Sequence, residues 1–369
     1  MGCLRVLLLL VACVAAPACG QGPATPPEAT SAPAAAPGQP PVQAVLATDP
    51  GPAVRSLLEG AEAIGPLKAV AVAFDGEVIA ERGYGNATPD SPTNIKSASK
   101  TVMSALVGIA IDKDVLEGVD QPMAPLLRDR LPADPDPRLE QVTIGHLLSM
   151  QAGLERTSGR NYGAWVASPD WVRDALGRPF VDEPGGAMLY STGSTHLLSA
   201  ILTRQTGRPT LELARDWLGP LDGFAITAWD RDPQGIHLGG NNMAMSTRSL
   251  LAFGELYRNG GFTPDGQRLL SQEWIEASWQ PRTNSRFTGD GYGYGWFLRE
   301  LAGEPVRYAW GYGGQMLYVV PSMRLTVAMS SDDRQASART GHRDELHRLM
   351  ARLIHAVQAP CRDGAAPAC

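Results

Sequence analysis

The most legible pattern along the chain is a pair of β-like runs separated by a two-residue break. Ala69–Phe74 and Glu77–Ala80 flank Asp75-Gly76, a pair that fits a tight turn, and together they predict a β-hairpin. Ahead of it, Val54 to Ile64 carries a helix-like pattern. Behind it, the segment from Ser97 to about Lys113 is apolar nearly all round between Val102 and Ile111, which predicts a buried helix. From Val115 to about Asp290 the pattern is mostly helical and broken by glycine and proline, with a helix-like stretch at Thr195 to Thr203. Short β-like runs return at Gly295–Leu298, Gln315–Val320 and Leu325–Ser330, with Pro321-Ser322 turning between the last two. An amphipathic helix at about Gly341 to Val357 follows. Strands at both ends with helices between them predict an α+β fold. One antiparallel sheet is formed from both chain ends and flanked by helices, with a large mainly helical insertion over about 115–290.

The N-terminal residues depart from this pattern. Arg5 precedes the apolar run Val6 to Ala16, which is too short to span a bilayer, and Ala16-Pro17-Ala18 fits a cleavage site. Residues 1–18 are therefore expected to be a signal peptide. Cys19 directly after it is a candidate lipid acceptor, and residues 19–50, rich in Pro, Ala, Gly and Thr without periodicity, form a disordered linker. The expected product is exported, as a periplasmic or cell-surface lipoprotein attached through Cys19 or as a plainly secreted protein. The folded body is placed at 51–358 and a tail at 359–369. Cys361 and Cys369 lie in that tail, where a disulfide and two free thiols are both open readings.

Composition narrows the chemistry. Of 369 residues, 44% are hydrophobic and 19% charged, which supports a sizeable core, and the formal net charge is −6. No basic cluster interleaved with aromatics is present, which argues against a nucleic-acid partner. The body contains no cysteine, so thiol catalysis and Cys-ligated zinc are excluded there. There is also no Walker-type glycine loop, no HExxH and no GxSxG. His146, His342 and His347 read as structural or solvated positions, and neither metal nor cofactor is assigned. Lysine is scarce: Lys68, Lys96, Lys100 and Lys113 are the four among 32 basic residues. A lysine retained in an arginine-rich chain fits a site that needs a deprotonatable amine, because arginine does not release its proton.

Three short segments could carry chemistry. In Ser97-Ala-Ser-Lys100, a helix starting at Ser97 would place Lys100 one turn on and on the same face, close enough to take the serine proton. A buried lysine can have its pKa lowered enough for that task. By itself this spacing also fits a helix cap followed by a surface lysine. Tyr190, just before a helix-like stretch, could shuttle a proton if nearby cations lowered its pKa, or could simply pack as a loop tyrosine. Ala309-Trp-Gly-Tyr-Gly-Gly-Gln315 enters a strand. Its glycines would allow backbone N–H groups close to a ligand, one of them joining the Ser97 N–H in an oxyanion hole, or would serve as an ordinary β-turn.

In order and spacing the three segments resemble the serine β-lactamase and penicillin-binding protein superfamily, in particular its class C β-lactamase-like branch with related esterases and 6-aminohexanoate-dimer hydrolases. Thr143-Ile-Gly-His-Leu-Leu-Ser-Met-Gln-Ala-Gly-Leu154, Gly239-Gly-Asn-Asn-Met-Ala-Met-Ser-Thr247 and Gly291-Tyr-Gly-Tyr-Gly-Trp296 resemble further signatures of that family. The resemblance runs from about residue 60 to 355. It implies a serine hydrolase with Ser97 as nucleophile, Lys100 as base, Tyr190 as proton shuttle, and the N–H groups of Ser97 and Tyr312 as the oxyanion hole. Trp310, Gly311 and Gly313 fall at its substrate-binding third motif. Tyr162 and Trp165 are candidate pocket walls, with packing of the insertion as the alternative. Two departures bear on substrate. Thr192 stands where the family commonly has an asparagine that holds a substrate amide. No lysine follows Lys113, so the usual cation for a β-lactam carboxylate is missing. Both favour a small-molecule ester or amide over a penicillin. A β-lactamase or D-alanyl-D-alanine carboxypeptidase acting on cell-wall-type substrates, and a non-catalytic binder of cell-wall fragments, are the competing readings.

Overall fold

The computed structural model describes residues 46–358, so the expected signal peptide, Cys19, most of the linker and the Cys361–Cys369 tail lie outside the described residues. Leu46 pairs with Gln358, and the Ala47 N–H donates to the Val357 carbonyl at 2.9 Å. The chain is thus already fixed to the end of the last helix before residue 51, the expected boundary.

Six strands make the main part of an antiparallel sheet: β1 (Leu67–Phe74), β2 (Glu77–Gly83), β3 (Phe297–Leu301), β4 (Glu304–Gly311), β5 (Gln315–Val320) and β6 (Leu325–Ser331). Their order is β2-β1-β6-β5-β4-β3, continued at the β3 edge by the two-residue strands Gly291–Tyr292 and Thr283–Asn284. The expected joining of the two chain ends is the β1–β6 pair, with Val72 opposite Val327 and Ala71 opposite Ala328. Asp75 and Gly76 both take positive φ, the requirement of the tight turn expected there. Strand β4 lacked a sequence signal because Glu304, Pro305 and Arg307 interrupt its apolar run.

Both sheet faces are covered, which is why β1 reads as a continuous apolar run and not as an alternation. One face, with Val70, Val72, Met316, Tyr318 and Val327, packs on α1 (Gly51–Gly60) and α5 (His342–Val357). The other, with Ala71, Ala73, Leu317, Val319 and Ala328, packs on α2 (Ser99–Asp112), α3 (Thr192–Thr206), α4 (Thr247–Arg258) and the rest of the insertion. His342 and His347, expected to be solvated, are instead buried on the sheet side of α5. His342 Nε2 lies 2.9 Å from Ser331 Oγ, and His347 Nδ1 lies 3.0 Å from the Tyr318 hydroxyl. Two polar partners supplied by strands made these burials affordable, and the helix sequence alone did not display them.

Helix α2, which precedes the insertion in sequence, packs against its helices and is buried from Ser99 to Ala110. It approaches Trp274 so closely at Gly108 that an added Cβ would stand 2.4 Å from the indole ring. Gly108→Val is expected to destabilise the fold by about 1–3 kcal/mol through overpacking, read as a lower denaturation midpoint at unchanged slope.

Candidate active site

The residues around Ser97 are fixed by a small second sheet before any helix begins. Thr93–Asn94 pairs with Met243–Met245, which also pairs with Ala228–Trp229, and the Ile95 N–H donates to the Met243 carbonyl at 2.9 Å. Lys96 then adopts a left-handed backbone, φ 52°, where Asn94 Oδ1 accepts its N–H at 2.9 Å and Asp333 holds its side chain by an ion pair of 3.0 Å. A 3₁₀ turn, Lys96–Ala98, leads into α2 at Ser99. The nucleophile candidate therefore stands on a tight turn just ahead of the helix, whose regular α-geometry begins at Ser99, two residues later than expected.

Lys100, in the first turn of α2, is buried, and its Nζ lies 3.0 Å from Ser97 Oγ. The amine also donates to the Gly240 carbonyl at 2.7 Å and reaches Thr192 Oγ1 at 3.5 Å. Among the described residues no carboxylate pairs with it. Burial without a counter-charge disfavours the ammonium and lowers the pKa from 10.5 to about 7. The carbonyl of Gly240 arrives because the small sheet anchors Met243 beside Ile95. Glycine is needed at 240, since an added Cβ would meet Thr195 Oγ1 at 2.1 Å and Lys100 Nζ at 3.0 Å.

Tyr190 sits against Tyr292 and Phe297, ring centroids 6.1 and 6.0 Å away, and the Lys100 amine lies 5.0 Å from its ring centre. Desolvation pushes its hydroxyl well above the ordinary phenol range, and a hydrogen bond with Ser97 only partly opposes that shift. The expectation that cations lower this pKa is overturned. Lys100, the neighbouring amine, has a pKa of about 7 and carries only a partial charge at neutral pH, so Tyr190 remains a neutral phenol.

Tyr190 is held at the start of α3 by an unusual arrangement. Helix α3 has no side-chain cap from its own Ser191. Ser158 Oγ accepts the Thr192 N–H at 2.9 Å, and Thr157 Oγ1 accepts the Gly193 N–H at 2.8 Å. The caps come from a segment over thirty residues earlier in the chain.

The third segment is the β4–β5 turn. Strand β4 ends at Gly311 and β5 begins at Gln315, so the segment closes one strand before entering the next, and Gly311 to Gly314 form a turn closed by the Gly314 N–H on the Gly311 carbonyl at 3.0 Å. That bond leaves the Tyr312 N–H free of the turn, and the Tyr312 side chain is 50% exposed. Gly311 packs directly on the turn that precedes Ser97: an added Cβ would fall 2.2 Å from the Ile95 carbonyl oxygen. Gly313, at φ 88°, is backed by Asp332 and Asp333. Trp310 is partly buried. It donates to Ser337 Oγ at 3.1 Å and lies 6.0 Å from Phe297, continuing the aromatic wall Tyr190–Phe297–Trp310.

The two expected pocket walls separate. The Tyr162 hydroxyl accepts from Asn241 Nδ2 at 2.8 Å, one residue past Gly240, so it borders the loop that holds Lys100. Trp165 is fully buried, donates to the Trp171 carbonyl at 2.9 Å and packs on Trp171 and His196. It is a core residue of the insertion and not a wall. Gly240, Ser158, Tyr292 and Phe297 were not singled out beforehand. Gly240 and Tyr292 fall in segments noted only for their similarity to family signatures, whereas Ser158 carried no signal.

A family model described as Beta-lactamase matches residues 65–351. A curated relative, the 6-aminohexanoate-dimer hydrolase of Paenarthrobacter ureafaciens, is 24% identical over 233 residues, and the match spans 58% of each chain. Among solved structures, a penicillin-binding protein homologue from Caulobacter crescentus is similar with a TM-score of 0.66 at 20% identity, covering 84% of this chain and 98% of that one. EstCE1, described as a hydrolase with promiscuous acyltransferase activity, gives 0.65 at 18% identity, covering 84% and 99%. At these identities the two structures establish the fold.

Gly311→Ala forces the turn before Ser97 and the β4–β5 turn apart. Labelling by a fluorophosphonate probe is expected to fall about 100-fold while far-UV circular dichroism stays unchanged. The displaced lysine titration has a second consequence. Between pH about 7 and 10.5 the unfolded chain binds a proton at Lys100 that the folded chain does not, so folding stability gains from rising pH in that window. Urea denaturation at a series of pH values should show this contribution in the parent chain and its absence in Lys100→Met.

Proposed function

The chain belongs to the beta-lactamase family and is a serine hydrolase; from that premise we propose that it cleaves an ester or small-amide bond through an acyl-enzyme on Ser97. The observation that carries this reading is the buried, carboxylate-free Lys100 amine, 3.0 Å from Ser97 Oγ with a pKa of about 7. Neutral Lys100 takes the Ser97 proton as Oγ attacks the substrate carbonyl carbon. The carbonyl π pair moves to oxygen, where the N–H groups of Ser97 and Tyr312 receive the oxyanion. Collapse expels the leaving alcohol or amine, which takes a proton from the Tyr190 hydroxyl, and the Lys100 ammonium replaces that proton. Water then attacks the acyl-enzyme by the reverse relay, releasing the acid and restoring Ser97.

A small ester or amide is favoured over a β-lactam because Thr192 stands where an amide-binding asparagine would be expected and the third motif, Ala309-Trp310-Gly311, lacks the carboxylate-binding lysine. The aromatic wall Tyr190–Phe297–Trp310 offers an apolar acyl or leaving group a surface. The similarity to a 6-aminohexanoate-dimer hydrolase supports an amide among the substrates. Export, with lipid attachment at Cys19, is part of the same proposal and rests on the apolar run Val6–Ala16 and the proline-rich stretch after it.

Peptide mapping after fluorophosphonate treatment should locate the adduct on Ser97 and show no adduct in Ser97→Ala. The labelling rate should rise with pH through about 7 and then level off, since the neutral lysine is the competent form. Lys100→Arg, which cannot release its proton, should lose at least about 100-fold at every pH. An adduct on any other residue, or a flat pH profile, would exclude the Ser97–Lys100 mechanism.

A further inference from the structure

Lys100 has a second side. Away from Ser97 its amine reaches Thr192 Oγ1 at 3.5 Å, and Thr192 Oγ1 lies 3.0 Å from Ser158 Oγ. Thr192 is buried, whereas Ser158 is partly exposed. Ser158 Oγ accepts the Thr192 N–H at 2.9 Å, so one of its lone pairs is occupied. Either hydroxyl can donate in the Thr192–Ser158 contact; when the Thr192 Oγ–H donates to the second Ser158 lone pair, the Ser158 proton faces outward and a Thr192 lone pair faces Lys100. The three groups then form one directed chain, Lys100 N–H to Thr192 Oγ, Thr192 O–H to Ser158 Oγ, Ser158 O–H to solvent.

Resting on the reading of Ser97 and Lys100 given above, we propose that Thr192 and Ser158 are a hydroxyl relay that connects the buried base to solvent. When Lys100 gains the Ser97 proton it becomes an ammonium in a site without a carboxylate. The other ionisable groups facing it are Ser97 itself and Tyr190, a neutral phenol, while the 239–242 loop presents the Gly240 carbonyl. Thr192 Oγ is then the one hydroxyl acceptor on the side remote from the reacting atoms. The long neutral contact shortens as charge develops on the amine. In the transfer, an ammonium proton passes to Thr192 Oγ as the Thr192 hydroxyl proton passes to Ser158 Oγ and the Ser158 hydroxyl proton passes to water. The amine is left neutral and both hydroxyls are restored. For a leaving group that departs as an anion and takes no proton from Tyr190, the relay resets Lys100 between acylation and deacylation without routing the proton through the substrate-occupied side. It also gives Thr192 a positive role at the position where an asparagine amide, which cannot pass a proton on in this way, is commonly found.

The test uses hydrolysis of a short-chain p-nitrophenyl ester by the full chain, with Thr192→Val, Thr192→Ser and Ser158→Ala beside it. Valine keeps the shape of threonine and leaves the backbone cap from Ser158 intact. Thr192→Val should lower kcat about tenfold with KM unchanged. It should also shift the rising limb of the pH profile to lower pH, because the ammonium loses an acceptor, and turn a multi-proton solvent isotope inventory into a single-proton one. Ser158→Ala should move the inventory the same way, and Thr192→Ser should restore kcat, limb and inventory together. A purely structural role would lower stability and leave the limb and the inventory in place. Thr192→Val with an unchanged limb and inventory overturns the relay. Fluorophosphonate labelling of the same preparations separates the two levels: normal Ser97 labelling with unchanged Thr192→Val kinetics overturns the relay alone, and no labelling of the parent chain overturns the acyl-enzyme reading as well.

Discussion

The site depends on one amine being kept dry. Lys100 has no carboxylate to hold it charged, and its hydrogen bonds go to a carbonyl and two hydroxyls. Desolvation then decides the protonation state, and the pKa near 7 follows from burial and from nothing more elaborate. Because the cost of burying an ammonium is large, each group around Lys100 must exclude water while leaving Ser97 reachable. Helix α2 meets the first demand by being buried along nearly its whole length. The Lys96–Ala98 turn meets the second by lifting Ser97 to a partly exposed position.

The pieces that build the site come from distant parts of the chain, and glycine marks three of the close approaches. Gly240 brings a carbonyl under the amine, Gly311 lets the β4–β5 turn press on the Ile95 carbonyl, and Gly313 allows the Asp332–Asp333 segment behind that turn. The Lys96–Asp333 ion pair ties the same segment to the residue before the nucleophile. The nucleophile turn and the turn carrying the proposed oxyanion donor are therefore braced against each other. Such bracing suits electrostatic stabilisation, which requires donors fixed before charge develops.

Protonation states divide the labour between the two proton-handling residues. Burial moves lysine and tyrosine in opposite senses on the pH scale, but it favours the neutral form of each. A neutral amine accepts a proton and a neutral phenol passes one on. The proposed assignment of base to Lys100 and donor to Tyr190 thus rests on the burial of both groups, Tyr190 against Tyr292 and Phe297, with no cation required to activate the phenol.

The sequence by itself determined the layout: a hairpin at Asp75-Gly76, a buried helix behind Ser97, strands near residue 320 and a closing helix, because apolar periodicity and turn chemistry are local properties. It also made Ser97 and Lys100 candidates through their three-residue spacing, which by itself equally fitted a helix cap, and the resemblance of three motifs in order set them above that alternative. Tertiary structure decided what local pattern does not encode. Trp165 turned inward because Trp171 and His196 offered it a core, and the α5 histidines were buried because Ser331 and Tyr318 could bond them. The phenol of Tyr190 moved up the pH scale because solvent was removed from around it. Gly240 and Ser158 joined the site only through a small sheet and a helix cap supplied across the fold. Proximity of this kind depends on where remote segments come to rest, and a pKa depends on the solvent those segments displace.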